Sequence, residues 1–162
     1  MPKSRIGREP IAAVVCALGL FSVTAVVLAA VGDTMVSPVE VNAAARIAHH
    51  ELIDPKMLAP GAAAASAGGT TSFSTADGAV RVGVWESDPT TLRLDLPIIE
   101  YVHVVEGSAV IHDESGHSWT YKPGDSFVLP QGFNGTATLI GHFKKEFVDV
   151  RPSGPTGTPG AH

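Results

Sequence analysis

Apolar and polar positions follow three different rhythms along this chain. From Ile11 to Val31 no residue is charged and most are aliphatic, and Lys3, Arg5 and Arg8 precede the run. As a helix at about 1.5 Å per residue, those 21 residues reach roughly the thickness of a bilayer hydrocarbon core. A secretory h-region is usually about 7–15 residues, so the length favours an uncleaved signal-anchor. Ala29-Ala30-Val31-Gly32 offers small residues for cleavage, so segment 1–32 is read as a signal-anchor or a signal peptide. The basic flank should stay in the cytoplasm. Everything after Gly32 is then expected outside it, membrane-anchored or, after cleavage, secreted.

The second rhythm is helical. Ser37-Pro38-Val39-Glu40 is a helix start signal, with a capping serine, a first-turn proline and an acidic residue three positions after the cap. Val41, Ala44, Ala48 and Leu52, with Ile47 beside them, form a thin apolar stripe, and Asp54-Pro55 ends it. Segment 33–58 is therefore expected to hold a short amphipathic helix. His49, His50 and Glu51 are consecutive on it, do not share a face, and read as a solvated surface. The stretch 59–72 is rich in Pro, Gly, Ala and Ser and predicts a flexible linker. The tail, 152–162, has the same composition and is expected to be disordered.

The third rhythm is that of β structure. Within 73–151, short runs rich in Val, Ile, Thr and aromatics alternate with turn signals about every ten residues. Val80–Glu86, Ile98–Glu106, Ala109–His112, His117–Tyr121, Ser126–Leu129, Thr136–Ile140 and Phe143–Val150 read as strands. This predicts an all-β sandwich or small barrel. In the strand 98–106, alternation puts Glu100, Val102 and Val104 on one face and Tyr101, His103 and Val105 on the other.

The formal net charge of −5, with no basic stripe, argues against a nucleic-acid partner. One cysteine, Cys16, lies in the hydrophobic run, which excludes a disulfide framework and a Cys-based zinc site. No Ser-His-Asp set, phosphate-binding glycine loop or cysteine nucleophile is recognisable.

The turn residues also carry a family resemblance. Glu100 followed by six residues and Gly107, then Pro123-Gly124-Asp125 and Pro130-x-Gly132, look like the two cupin motifs. Gly83-Val84-Trp85-Glu86, Lys122-Pro123-Gly124-Asp125 and Gly132-Phe133-x-Gly135-Thr136 are similar to one branch. It contains ureidoglycine aminohydrolase and the ethanolamine-utilisation cupin. The resemblance implies a double-stranded β-helix, or jelly-roll barrel, over 73–151. Small cupins frequently pair through their sheets, so a homodimer is an expected form.

Metal-binding cupins use two histidines and a glutamate from the first motif and a histidine from the second. The resemblance places Glu100 at the glutamate position. The upstream positions fall on Leu94 and Leu96, or Arg93 and Asp95, and the last falls on Gly135. The usual metal site is thus expected to be missing, and no cofactor is expected. His112 and His117 flank a hairpin loop, where they are either cross-strand neighbours touching an unusual ion or simply exposed.

Glu100 has two readings, a lumen carboxylate that binds or deprotonates a ligand, or a structural carboxylate tied to Arg93 or Arg81. Trp85 is either a pocket wall or core, and Tyr101 and Gln131 are candidates for the mouth. Where the branch would carry a tryptophan this chain has Ala137, which either enlarges the pocket or loosens the core. Two functions follow. One is an extracytoplasmic domain binding a small polar molecule without the usual metal. The alternative is an enzyme on a nitrogen-containing small molecule similar to ureidoglycine aminohydrolase.

Overall fold

The computed structural model describes residues 37–152. The hydrophobic run 11–31 and the tail from Ser153 lie outside the described residues. Among those described, no helix is long and apolar enough to cross a membrane.

Eight strands account for most of the described chain: β1 (Glu51–Leu52), β2 (Ser66–Ser74), β3 (Val80–Ser87), β4 (Thr90–Asp95), β5 (Ile99–Asp113), β6 (Ser118–Tyr121), β7 (Ser126–Leu129) and β8 (Asn134–Val150). Every pairing is antiparallel. The two long strands organise the rest. The first half of β5 pairs with the last part of β8 and with β7; its second half pairs with the first part of β8 and with β6. β8 likewise carries β4 on its first half and β3 on its second.

Both long strands change partners at a glycine corner. Gly107 (φ 69°) interrupts the β5–β8 register, and Gly141 (φ 72°) lies beside it. A β-carbon on Gly107 would stand 2.6 Å from the His142 carbonyl oxygen. Only glycine combines that left-handed backbone with so close an approach. The corner folds the sheet over on itself into a two-layered barrel, as expected of a jelly roll.

Between the layers Leu94, Val102, Val104, Ala109, Ile111, Leu129, Ala137, Leu139 and Phe143 form the buried core. The face assignment along β5 holds. Val102 and Val104 are almost fully buried, whereas Tyr101 is 41 % exposed.

Two expectations are overturned. The amphipathic helix is not formed over the described part of 33–58. That stretch is irregular apart from a turn, the two-residue β1, and a single 3₁₀ turn at Pro55–Met57 capped by Asp54. Its burial alternates: Val41, Ala43, Ala45 and Ile47 face inward, Asn42, Ala44, Arg46 and Ala48 face water, and Leu52 is 76 % exposed. The segment is an extended strap on the outer side of the sheet. Ile47 reaches Gly68, and Lys144 Nζ donates to the Ala45 carbonyl at 3.0 Å. A stripe of five apolar residues, two of them alanine, buries too little area as a helix to outweigh these contacts. The second half of the flexible linker expected over 59–72 is instead strand. β2 begins at Ser66 and follows β3 from Ser87 to Arg81. Gly68 is required there because a β-carbon would meet the strap at 2.4 Å, and a β-carbon at Gly69 would press on β3 at 3.0 Å.

Candidate functional site

A cavity of about 500 Å³ opens at one end of the barrel. Its apolar surface comes from Trp85, Leu92, Leu94, Leu96 and Phe147, and its charges from Arg81, Glu100, Lys145 and Asp149, with Lys56, Arg93 and Asp95. The 3₁₀ turn brings Lys56 and Met57 to the cavity, held on β4 by the Leu58–Leu92 bridge. Deeper in, the lumen narrows to about 40 Å³ between Ala109, Ala137 and Phe143. Ala137 borders this small inner space and does not line the larger cavity.

Three strands supply the charged wall. Arg81 of β3 stands opposite Asp149 of β8, which in turn stands opposite Glu100 of β5. Facing carboxylates repel unless each has a counter-charge. Here each has one. Arg81 donates to Asp149 Oδ2 at 2.5 Å, and Lys145 Nζ donates to Glu100 Oε1 at 2.5 Å. The Lys145 ammonium also lies 5.2 Å from the centre of the Trp85 ring, a cation–π arrangement. Arg81 lies 5.9 Å over Phe147. Asp149 Oδ1 is buried without a hydrogen-bond partner among the described residues.

The sequence-derived candidates divide. Glu100 and Trp85 line the cavity. Tyr101 does not. It lies on the outer face, where its hydroxyl donates to Ser126 Oγ, shared with His103 Nδ1. Gln131 sits beside the loop after β4, donating to the Pro97 carbonyl at 3.3 Å, and is not part of the lining. Both followed from adjacency to motif residues, but period-two alternation turns Tyr101 away from its neighbour Glu100. The partner of Glu100 is neither Arg93 nor Arg81 but Lys145. The alternation Phe143, Lys145, Phe147, Asp149 along β8 was the available signal, because it puts a lysine and an aspartate on the inward face.

The metal site of metal-binding cupins does not fit these residues. Leu94 is buried in the core and Leu96 packs against it. The alternative pair places the cation Arg93 and the carboxylate of Asp95 at the rim. At Gly135 even a β-carbon would come within 2.0 Å of the His112 carbonyl oxygen. The remaining position, Glu100, already carries the Lys145 ammonium. Nor do His112 and His117 meet. His112 stands opposite Ser118, while His117 turns onto Asp113 and Ser115. The Ser115 hydroxyl, together with the His117 backbone and ring, outweighs desolvation and lowers the Asp113 carboxyl to about 2. Among the described residues no group of three or more His, Cys, Asp or Glu side chains is placed to hold an ion.

A second charged cluster lies on the opposite face of β3 and β8, under the strap. Glu86, Lys144 and Ala45 are joined there, with His50 Nε2 2.8 Å from Glu86 Oε1 and Lys144 Nζ 3.2 Å from Oε2. Burial pushes the Glu86 carboxyl up. Lys144, His50 and His142 outweigh it and leave the group below its ordinary value. This cluster fastens the strap and does not reach the cavity.

Comparison with known proteins agrees with the fold. Residues 74–147 match the family model of the EutQ-like cupin domain. A DUF861-family protein of unknown function from Pseudomonas syringae pv. tomato str. DC3000 is 24 % identical, with a TM-score of 0.60 over 68 % of this chain and 46 % of that one. The chain thus spans less than half the length of that protein. A putative ethanolamine utilization protein Q from Salmonella typhimurium LT2 is 22 % identical, with a TM-score of 0.47 over 52 % and 69 % of the two chains. The EutQ protein of Clostridium difficile is 17 % identical, with a TM-score of 0.48 over 62 % and 80 %. No curated protein matches the chain. The β domain has the fold of a small cupin.

Proposed function

We propose that this small cupin binds a small polar organic molecule in the cavity at the barrel mouth, without a coordinated metal, while the hydrophobic run 11–31 keeps the domain outside the cytoplasm. The observation that carries the reading is the Glu100–Lys145 pair under the Trp85 ring, set in a cavity of about 500 Å³. Ligand pockets for small molecules typically measure about 300–1,000 Å³ and combine an apolar lining with a few placed polar groups. The deeper lumen holds only about 40 Å³, so the ligand occupies the mouth. Lysine supplies a fixed positive charge that is held by Glu100 and needs no loading. The aminohydrolase alternative draws on metal chemistry whose histidine positions here are Leu94 and Leu96, or Arg93 and Asp95, with Gly135, so binding is the better-supported function.

A thermal-shift screen of the detergent-solubilised full chain against small polar molecules tests this. Binders should raise the melting temperature of the wild type, since a ligand that binds only the folded state must stabilise it. They should fail to do so for Trp85→Ala or Lys145→Met. A screen with no stabilising compound, or hits indifferent to both substitutions, would contradict the reading.

A further inference from the structure

Carboxylates in this cavity hold cations in position. Glu100 uses Oε1 on Lys145, and Asp149 uses Oδ2 on Arg81. The Arg81 guanidinium has five N–H donors, and its pairing with Asp149 engages few of them. Its side chain is 48 % exposed. Lys56 and Arg93 also border the cavity, and neither forms an ion pair among the described residues. Four cations (Lys56, Arg81, Arg93, Lys145) thus face three carboxylates (Asp95, Glu100, Asp149). A cationic ligand would find two of those carboxylates already paired, and the free Asp149 Oδ1 is closed to solvent.

Building on the cavity as the binding site, we infer that its ligand is a small organic anion, a carboxylate on a short apolar body. The guanidinium fork of Arg81 matches a carboxylate geometrically and is already oriented by Asp149 and by Phe147 beneath it. The apolar body lies against Trp85, Leu92 and Leu94. Lys145, fixed by Glu100 and the Trp85 face, adds a second positive charge at the inner end. An apolar lining raises the strength of these charge contacts relative to open water.

The test uses the full chain carrying Trp119→Phe, which leaves Trp85 as the one tryptophan of the original two. Its fluorescence is titrated in parallel with butyrate, butyramide and butylamine, three molecules of similar size and different charge. Butyrate should give a saturable change, butyramide should bind at least ~10-fold more weakly, and butylamine should give none, on the differential expected when a charged partner is lost. Arg81→Gln should weaken butyrate at least ~10-fold, while Lys122→Gln, outside the cavity, should leave it unchanged. If Arg81→Gln does not fold, Arg81→Lys retains a cation for Asp149 but lacks the fork, and it should still weaken butyrate several-fold. Saturable binding of butyramide or butylamine at equal strength overturns the anion assignment while leaving the cavity as a binding site. Butyrate binding unaffected in a folded Arg81 variant overturns it as well. No response from any of the three overturns it too, and the thermal-shift screen decides separately whether the cavity binds anything.

Discussion

Lys145 on β8 donates to Glu100 on β5, so the two strands that organise the barrel are joined by an ion pair inside its mouth. The pair is mostly withdrawn from water, with side-chain exposures of 17 % and 13 %. Removing one member strands the other in a poorly solvated place, which costs more than the pair itself contributes. Lys145→Met should therefore destabilise the domain by ~1–3 kcal/mol. The double variant Lys145→Met/Glu100→Gln should recover part of that loss. Urea denaturation of the two singles and the double closes the cycle. Simple additivity would mean that the two side chains do not interact.

The Glu86 cluster makes acid stability predictable. The Glu86 carboxyl is depressed below its ordinary 4.5 in the folded state. The sign follows from linkage: its contribution is complete above the unfolded value and is lost as pH falls through the lower folded value. Wild-type stability should therefore fall as pH drops below about 4.5, and Glu86→Gln should be less stable near neutrality and show a shallower acid slope. Equilibrium denaturation across the acid range measures both slopes. Parallel profiles would remove Glu86 from the account.

Gly135 predicts what happens when the missing histidine is restored. A β-carbon there would meet the His112 carbonyl at 2.0 Å, a backbone atom that cannot swing away. Gly135→Ala should cost ~1–3 kcal/mol through overpacking, and Gly135→His should cost more and bring no metal affinity. Thermal melts with and without nickel are the check. A stable Gly135→His domain whose melting temperature rises with nickel would contradict the geometry.

Much of the barrel was legible because β structure writes itself locally. Turn glycines Gly107, Gly124 and Gly132 all take positive φ, and alternation together with the motif position of Glu100 put Val102 and Val104 on the inward face. Two of the four candidate site residues followed from that, since Glu100 and Trp85 are motif residues on inward faces. The rest depends on register between distant strands. Lys145 meets Glu100 across 45 positions and Arg81 meets Asp149 across 68, and no local pattern states either pairing. The strap from Val41 to Ile47 was misread for a related reason. Alanine favours a helix over a strand, so local propensity pointed the wrong way. What decides the matter is the sheet beneath, with Gly68 leaving room for Ile47 and Lys144 reaching the Ala45 carbonyl.

The hydrophobic run 11–31 carries a prediction from the sequence alone. Full-length protein should sediment with membranes and resist extraction by carbonate, because the run is long enough to span a bilayer. Deleting 1–32 should remove that association. Recovery of a soluble mature form beginning near Gly32 or Asp33 would show instead a signal that is cleaved.

The most direct test of the central claim is native mass spectrometry of the full chain purified without chelator. It reads bound small molecules and bound metal in the same spectrum. A cavity whose fixed charge is Lys145 predicts a small organic adduct without a transition-metal mass, retained after EDTA and lost in Lys145→Met. A stoichiometric metal that is lost in Glu100→Ala, or an adduct unchanged by Lys145→Met, would contradict it.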